Sequence, residues 1–435
     1  MMPIMARLLP VIVVGTALAS LANITLTRNM SADEYGAFSF FLSTINLMSL
    51  IGLLGFQQTL PHFLSRYERE GKPDLGLGFV ITIVLLVVVA TAVTTVVGIY
   101  AVVPFIRGTA SHRCLSDGYY MATAFALIIL LAAYLNYHKH TLISSGAGPN
   151  GAIYQLILIL TVLLALLLPH KHKGLLAVEA VAAMGLAAGV CLLIQGGWCL
   201  IKAKREIRGI RPHFRIKAWL LGSLPVGGGA LLSVLIYAAD VIAVRLVSGS
   251  ASAAAYAVAS SLASFVLIPR KAITRYFSRE APHVAGADRA ASLQRLIRKV
   301  LGFHLLCAAT IGALILALNQ VLLGLYGSSY RSAWPVLILL IVARVLEGPT
   351  SIGIRLLNLE GHGTKLAISN LWTGAIFIAL LAGLVNVLGP IGGALAVIAF
   401  VLLSAAMFYR NGMKYTGLRL LPFGRGLPRR TAKSS

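Results

Sequence analysis

Residues 366–409 read LAISNLWTGAIFIALLAGLVNVLGPIGGALAVIAFVLLSAAMFY, a run without a single Asp, Glu, Lys or Arg. A helix needs about 20 apolar residues to cross the hydrocarbon core of a bilayer, so this run is long enough to cross twice. A Gly-Pro pair at 389–390 marks a turn near its middle. The run therefore predicts two membrane-spanning helices, 366–386 and 391–409, joined by a tight turn.

The rest of the chain has the same character. It has 435 residues, of which 58% are hydrophobic and 11% charged, and its mean hydropathy is +0.87. A soluble domain carries about 25% charged residues, so this composition indicates a membrane protein. Further apolar runs of spanning length lie at 8–27, 36–57, 76–103, 119–137, 151–168, 175–200, 219–245, 251–269, 301–325 and 333–355. We therefore predict an all-α integral membrane protein with about 12 transmembrane helices.

Two features of the chain qualify this prediction. The first run also fits a signal peptide, because Arg7 precedes it and Ala17–Ala19 resembles a cleavage site, but its length and the repeat described below favour a retained helix. The four cysteines are scattered, and three of them lie in apolar runs. We expect no disulfide, no metal site and no cofactor.

The formal net charge of +24 suggests either nucleic-acid binding or a cytoplasmic bias of Lys and Arg. If the spans alternate from a cytoplasmic N-terminus, 29 of the 37 basic residues fall on the cytoplasmic side. This bias predicts a multi-pass protein of the cell (inner) membrane with both termini in the cytoplasm, and no nucleic-acid partner. The segment 288–300 has the pattern of a helix lying on the anionic inner leaflet, with a solvated connector as the alternative.

The two halves of the chain resemble each other at an offset of 215 residues. LPV recurs at 9–11 and 224–226, and LISSGAGPNGAI (142–153) matches LNLEGHGTKLAI (357–368) at both glycines and at the final Ala-Ile. Six helices per half give two parallel repeats, related by a pseudo-twofold axis along the membrane normal, as in alternating-access transporters. We predict an N-terminal lobe at 1–201, a basic linker at 202–217, a C-terminal lobe at 218–409 and a basic tail at 410–435. Pro10 and Pro225, at matching positions, are predicted to kink their helices.

Four stretches carry a resemblance to a known family. They are LLPVIVVGTALASLANITLTRNMSADEYGAFSF (8–40), YAADVIAVRLVSGSASAAAYAVASSLASF (237–265) and LYGSSYRSAWPVLILL (325–340), the last followed by GPIGGALAV at 389–397. The chain resembles the polysaccharide-transporter, or lipid-linked oligosaccharide flippase, branch of the multidrug/oligosaccharidyl-lipid/polysaccharide exporter superfamily. The resemblance implies two six-helix lobes around a central cavity. It also implies flipping of an isoprenoid-diphosphate-linked oligosaccharide from the inner to the outer leaflet, with membrane lipid and other polysaccharide-assembly membrane proteins as partners.

Three alternatives to the flippase stay open. A cation-coupled multidrug exporter of the same superfamily often has an acid in helix 1, whereas Thr25 stands at the position that matches Asp240 in the repeat. A polytopic glycan polymerase or ligase needs a substantial outer loop, and the longest one here, about 104–118, shows no nucleophile–base constellation. A membrane scaffold without transport is the third. We expect a transporter that breaks no covalent bond and is not an enzyme.

Ionisable residues inside spans are candidate functional groups because they are costly in lipid. Asp240 and Glu347 are candidates for coupling to H⁺ or Na⁺, and Asp240 could equally cross-link helices. Arg344 and Glu347, at i and i+3, share a helix face and form either a structural ion pair or a diphosphate site in which Glu347 holds Arg344 between substrates. Further candidates for the substrate are Arg28 and Arg245, at the outer ends of equivalent helices, and Asn46, within span 2.

Overall fold

The computed structural model describes residues 2–52, 63–97 without 65 and 68, 174–184 without 178 and 182, 209–284 and 289–420. The predicted spans 119–137 and 151–168 and the repeat segment 142–153 lie outside the described residues. The side chains of Pro10, Asn46 and Pro225 are also outside them, so the kinks at the two prolines and the substrate contact at Asn46 stay predictions.

The described chain is helical, without a strand among the described residues. The α-helices are α1 (Met2–Asn29), α2 (Ala32–Gly52), α3 (Pro73–Val97), α4 (Ile216–Ser248), α5 (Ser250–Ala263), α6 (Ile268–Glu280), α7 (Arg289–Ala317), α8 (Asn319–Tyr326), α9 (Trp334–Val345), α10 (Gly348–Leu359) and α11 (Gly363–Asn411). Short 3₁₀ turns at Ser264–Leu267, Ala281–His283 and Ser328–Ala333 join several of them.

Four described segments are long and apolar enough to cross a bilayer. They are Ser250–His283, Arg289–Ala317, Ser328–Leu359 and Lys365–Thr416. Large apolar side chains on their outer faces are exposed, among them Leu306, Leu314 and Trp372, as expected for surfaces that lipid covers. The predicted all-α membrane fold is confirmed.

The last of these segments contains the predicted turn. Gly389 has φ 56° and ψ −135° inside α11, so two helices meet there at a kink. Gly392 is also required, because a Cβ at this position would collide with the carbonyl oxygen of Leu384. Two glycines and Pro390 therefore reverse the chain between two spans, as the Gly-Pro pair predicts.

The chain divides into two compact units, Ala17–Arg245 and a second unit formed by Met1–Thr16 with Leu246–Ser435. The first unit has an aromatic core in which Trp219 and Tyr67 pack around Phe79, and the indole Nε1 of Trp219 donates to the Tyr67 hydroxyl at 2.7 Å. The division into lobes at 1–201 and 218–409 stays a prediction.

The second unit has a core that continues to one end of its helices. Leu293, Ile297 and Val300, in the first turns of α7, are buried in this core, and Leu418 and Leu420 from the segment after α11 join them. The segment predicted to lie on the inner leaflet or to form a solvated connector is, from Arg289 onward, the start of the long helix α7, and its apolar stripe contacts protein. Its basic residues lie on the other faces, because the stripe recurs every three to four residues.

Candidate functional site

The span Ser328–Leu359 is interrupted between α9 and α10, and a proline explains the interruption. Pro349 has no N–H with which to bond the carbonyl oxygen of Val345, four residues earlier. That carbonyl instead pairs with Nε2 of His304 on α7, at 3.1 Å. Since a carbonyl oxygen can only accept, Nε2 of His304 must carry a hydrogen. The imidazole thus takes the place of the missing backbone donor.

Gly348 makes room for this histidine. A Cβ at position 348 would collide with Cδ2 of the His304 ring, which is itself 1% exposed. The other ring nitrogen, Nδ1, is buried and has no hydrogen-bond partner among the described residues. The Gly-Pro pair at 348–349 therefore serves two purposes: the proline frees a carbonyl group and the glycine leaves space for the ring that binds it.

Glu347, in the interruption itself, is the centre of a buried charge cluster that we define as Arg270, Arg344 and Glu347. Its Oε1 lies 2.5 Å from Nη1 of Arg270 on α6, and its Oε2 lies 3.7 Å from Nη1 of Arg344. The side chains of Arg344 and Glu347 are 5% exposed and that of Arg270 is 22% exposed, so only Arg270 reaches the edge of the unit. The predicted Arg344–Glu347 pair exists, but Arg270 is the closer partner.

The surroundings of the cluster are positive overall. Among the described residues, two arginines face one carboxylate, and Arg355 on α10 lies within electrostatic range of Arg270. His304 also lies within electrostatic range of Arg270. A low-dielectric site with more cations than anions attracts a further anion and repels a cation. The charges of the described residues therefore favour an anionic group, such as phosphate or carboxylate, over an organic cation at this cluster.

The other unit holds the remaining predicted residues. The guanidinium of Arg245, near the end of α4, stacks over the ring of Phe40 with its Cζ 4.8 Å from the centroid, and it lies within electrostatic range of Asp33 and Glu34. Arg28, in the last turn of α1, is exposed. A cation–π contact and two nearby acids are a structural explanation for Arg245, so a substrate contact at Arg28 or Arg245 stays a prediction.

Glu34 also connects two segments of this unit. Its Oε2 accepts a hydrogen bond from the backbone N–H of Ala177 at 2.7 Å. The carbonyl oxygen of Asn29 accepts from the N–H groups of Gly174 and Leu175. These bonds connect the α1–α2 turn to the segment 174–177, so Glu34, one of the two acids near Arg245, has a structural role.

Asp240 lies well inside α4 and is 1% exposed, and its Oδ1 accepts a hydrogen bond from the N–H of Val241. It lies in the unit Ala17–Arg245, whereas Glu347 lies in the other. Coupling at either residue stays a prediction.

Two residues of the site were not among the sequence-based candidates. Arg270 directly follows the predicted span 251–269, so the sequence predicts a cytoplasmic position for it, whereas α6 continues through Arg270 to Glu280. His304 stands alone in the apolar run of α7, where nothing nearby in sequence indicates a partner. The Gly-Pro pair at 348–349 was the available signal, because it predicts a helix interruption directly after Glu347.

Solved structures share this architecture over nearly the whole chain. An inward-facing multidrug resistance MATE family transporter of the MOP superfamily aligns with a TM-score of 0.76 and 15% identity over 93% of this chain and 95% of that chain. The fold is that of the MATE transporters. An outward-facing conformation of a MATE family transporter aligns with a TM-score of 0.68 and 16% identity over 95% of this chain and 96% of that one.

A third solved structure aligns with this chain to a similar extent. A MOP superfamily transporter from Pyrococcus furiosus Vc1 (DSM3638), for which a reversed polarity of the binding pocket suggests a different function, aligns with a TM-score of 0.69 and 16% identity over 95% of this chain and 96% of that chain. No protein-family profile and no curated protein sequence matches the chain. At such low identity the structural likeness shows the fold, and the cargo must be argued from residues.

Proposed function

We propose that this protein is an alternating-access transporter that moves an isoprenoid-diphosphate-linked oligosaccharide from the inner to the outer leaflet of the cell membrane. Its fold has solved relatives in inward-facing and outward-facing conformations. Rocking between two such states carries a headgroup across the bilayer without breaking a covalent bond. The isoprenoid chains would stay in lipid throughout.

The observation that carries the choice of cargo is the positive excess around Glu347. Arg270, Arg344 and Arg355 outnumber the single carboxylate among the described residues of that region. Guanidinium groups bind phosphate oxygens in a bidentate geometry that a diphosphate can satisfy. An anionic headgroup therefore matches the charge of the described residues around Glu347, and the sequence resemblance to oligosaccharide flippases supports the same cargo.

The second candidate is a cation-coupled multidrug exporter. The multidrug resistance MATE transporter among the solved relatives favours it. Such a protein needs acids that attract a cationic drug, and Asp240, buried in α4, is the described residue that best fits this role. The charge of the cargo therefore distinguishes the two candidates.

A reconstituted flipping assay tests the proposal. Purified protein in liposomes would receive an isoprenoid-diphosphate oligosaccharide with a fluorophore on the glycan, and a membrane-impermeant quencher would report the fraction on the outer leaflet. We expect faster exchange than in empty vesicles for the wild type and for Arg295→Gln, which removes an exposed cation bonded to Ser292. Arg344→Gln should slow exchange. Wild-type exchange at the rate of empty vesicles, with the protein folded, would refute the flippase.

A further inference from the structure

We propose that Glu347 is a built-in competitor for the cargo anion: a phosphate group displaces its carboxylate from Arg270 and Arg344, and the displaced carboxylate takes up one proton. This inference rests on the proposed function, because it assumes an anionic cargo. It assigns the buried charge cluster to phosphoryl recognition and links each binding event to a proton.

The first argument is that Glu347 occupies an anion site. It makes a short ion pair with Arg270 and lies 3.7 Å from Arg344, which come from two different helices. The Oε2 atom of Glu347 nevertheless has no hydrogen-bond partner among the described residues. The carboxylate thus lies between two guanidinium groups, and one of its oxygens accepts no described hydrogen bond. A phosphate group has more acceptor oxygens, so it could replace the carboxylate at both guanidinium groups.

The second argument is that the site can be entered and rearranged. Arg270 is the most exposed member of the cluster and so offers the first contact to an incoming anion. Glu347 lies between α9 and α10, at a point where the backbone ladder is already interrupted by Pro349. Movement of its side chain breaks the ion pairs with Arg270 and Arg344 but no described backbone hydrogen bond.

The third argument concerns the proton. Once the two arginines bind the cargo, the carboxylate of Glu347 remains buried in a span and loses its counter-ions. An isolated buried carboxylate is strongly disfavoured, and protonation removes the charge. The proton comes from the cytoplasmic water that the anion leaves, and it returns when the anion departs and the arginines recover the carboxylate.

Neighbouring groups make Glu347 the proton acceptor. Among the described residues, Glu347 pairs with Arg270 on α6 and Arg344 on α9, while His304 on α7 and Arg355 on α10 lie within electrostatic range of Arg270. Helix α11 carries Lys365, Tyr409 and Arg410 only near its ends. His304 already uses Nε2–H on Val345, and a second proton would place a cation near Arg270. Glu347 is the one acid in this set.

The test uses sulfate, a tetrahedral dianion whose own charge is constant in the neutral range, and purified full-length protein. Binding of labelled sulfate would be measured by equilibrium dialysis across pH, and proton uptake by a pH-sensitive dye in weak buffer. We expect the wild-type Kd to rise about tenfold per pH unit on the alkaline side, the slope of one proton. Glu347→Gln should bind about tenfold more tightly near neutral pH, equivalent to about 1.4 kcal/mol, without proton uptake.

A matched control is Glu360→Gln, which removes the carboxylate that pairs with Arg289 at 2.7 Å outside the cluster. This variant should keep the wild-type slope. Wild-type sulfate binding that is absent, or that is independent of pH, would overturn the inference, as would a Glu347→Gln protein that keeps the slope. The flipping assay separates the two proposals: flipping with pH-independent sulfate binding rejects only the proton exchange, and proton-linked sulfate binding without flipping rejects only the flippase.

Discussion

The Nε2 atom of His304 lies 3.1 Å from the carbonyl oxygen of Val345, the oxygen to which position 349 would donate if it were not proline. A side chain from α7 thereby completes the backbone bonding of a neighbouring interrupted span. In a membrane, where water cannot satisfy a free carbonyl group, such a partner is required for the interruption to persist. This hydrogen bond holds the backbone at Val345 and thereby positions Glu347, which lies two residues further along the chain.

The close contact between His304 and position 348 predicts that Gly348→Ala is destabilising. The new methyl group must displace the ring, and overpacking of this kind costs about 1–3 kcal/mol. Thermal unfolding in detergent measures the effect. In the double variant Gly348→Ala with His304→Ala the clash is absent, so its cost should be smaller than the sum of the single variants. Additive costs would show that the ring and position 348 do not contact.

Replacing the proline restores a backbone donor. Pro349→Ala should let the N–H at position 349 compete with His304 for the carbonyl group of Val345. Because Pro349 lies in the first turn of α10, where proline is tolerated, we expect the free energy of unfolding to change little, while transport slows as the span becomes continuous. Amide hydrogen exchange at position 349 is the measurement. Rapid exchange there, with wild-type transport, would contradict this role for Pro349.

The aromatic core of the other unit predicts a specific loss in Tyr67→Phe. The Trp219 indole N–H donates to the Tyr67 hydroxyl at 2.7 Å, and Trp219 is 1% exposed. Removing the acceptor leaves a buried donor unsatisfied, at a cost of about 1–3 kcal/mol. The unfolding temperature should fall, and it should not fall in Tyr409→Phe, where the hydroxyl makes no described hydrogen bond. Equal effects in both variants would contradict the assigned bond.

The side chain of Gln294 on α7 forms hydrogen bonds with the backbone of the segment after α11. The side chain of Gln294 donates to the carbonyl oxygen of Arg419 and accepts from its N–H, both at 2.8 Å, while Leu418 and Leu420 are buried beside it. In Gln294→Ala the loss of two bonds, each worth about 0.5–1.5 kcal/mol, should raise the population of the detached segment about tenfold or more.

Limited trypsin digestion followed by mass spectrometry measures this detachment as cleavage after Arg419. Gln320→Ala, which changes an exposed glutamine on α8, is the control and should digest like the wild type. Unchanged cleavage after Arg419 in Gln294→Ala would show that the buried leucines alone hold the segment.

The Gly-Pro pairs at 389–390 and 348–349 illustrate what the sequence could and could not predict. The Gly-Pro pair at 389–390 interrupts a run too long for one span, so length alone required a turn there, and Gly389 indeed adopts φ 56°. The pair at 348–349 lies in a run of ordinary span length, and Glu347 before it keeps right-handed helical angles, so the chain continues in nearly the same direction. Nothing in the length of this run called for an interruption.

Arg344 and Glu347 were predictable as a pair because helical spacing places i and i+3 on one face. Arg270 was not, since its burial is created by packing of α6 against α10 and not by any local pattern. The bond between His304 and Val345 likewise joins residues 41 positions apart. Local sequence therefore predicted the spans and one ion pair, while the third charge and the histidine depend on tertiary contacts.

The most direct test of the proposed function compares the transport of an anionic cargo with that of a cationic cargo. One preparation of proteoliposomes would be assayed in parallel with a fluorescent isoprenoid-diphosphate oligosaccharide and with a fluorescent organic cation, under the same proton gradient. The account predicts protein-dependent movement of the diphosphate lipid, lost in Arg344→Gln, and movement of the cation at the rate of empty vesicles. Movement of the cation alone, lost in Asp240→Asn, would contradict it and identify a multidrug exporter.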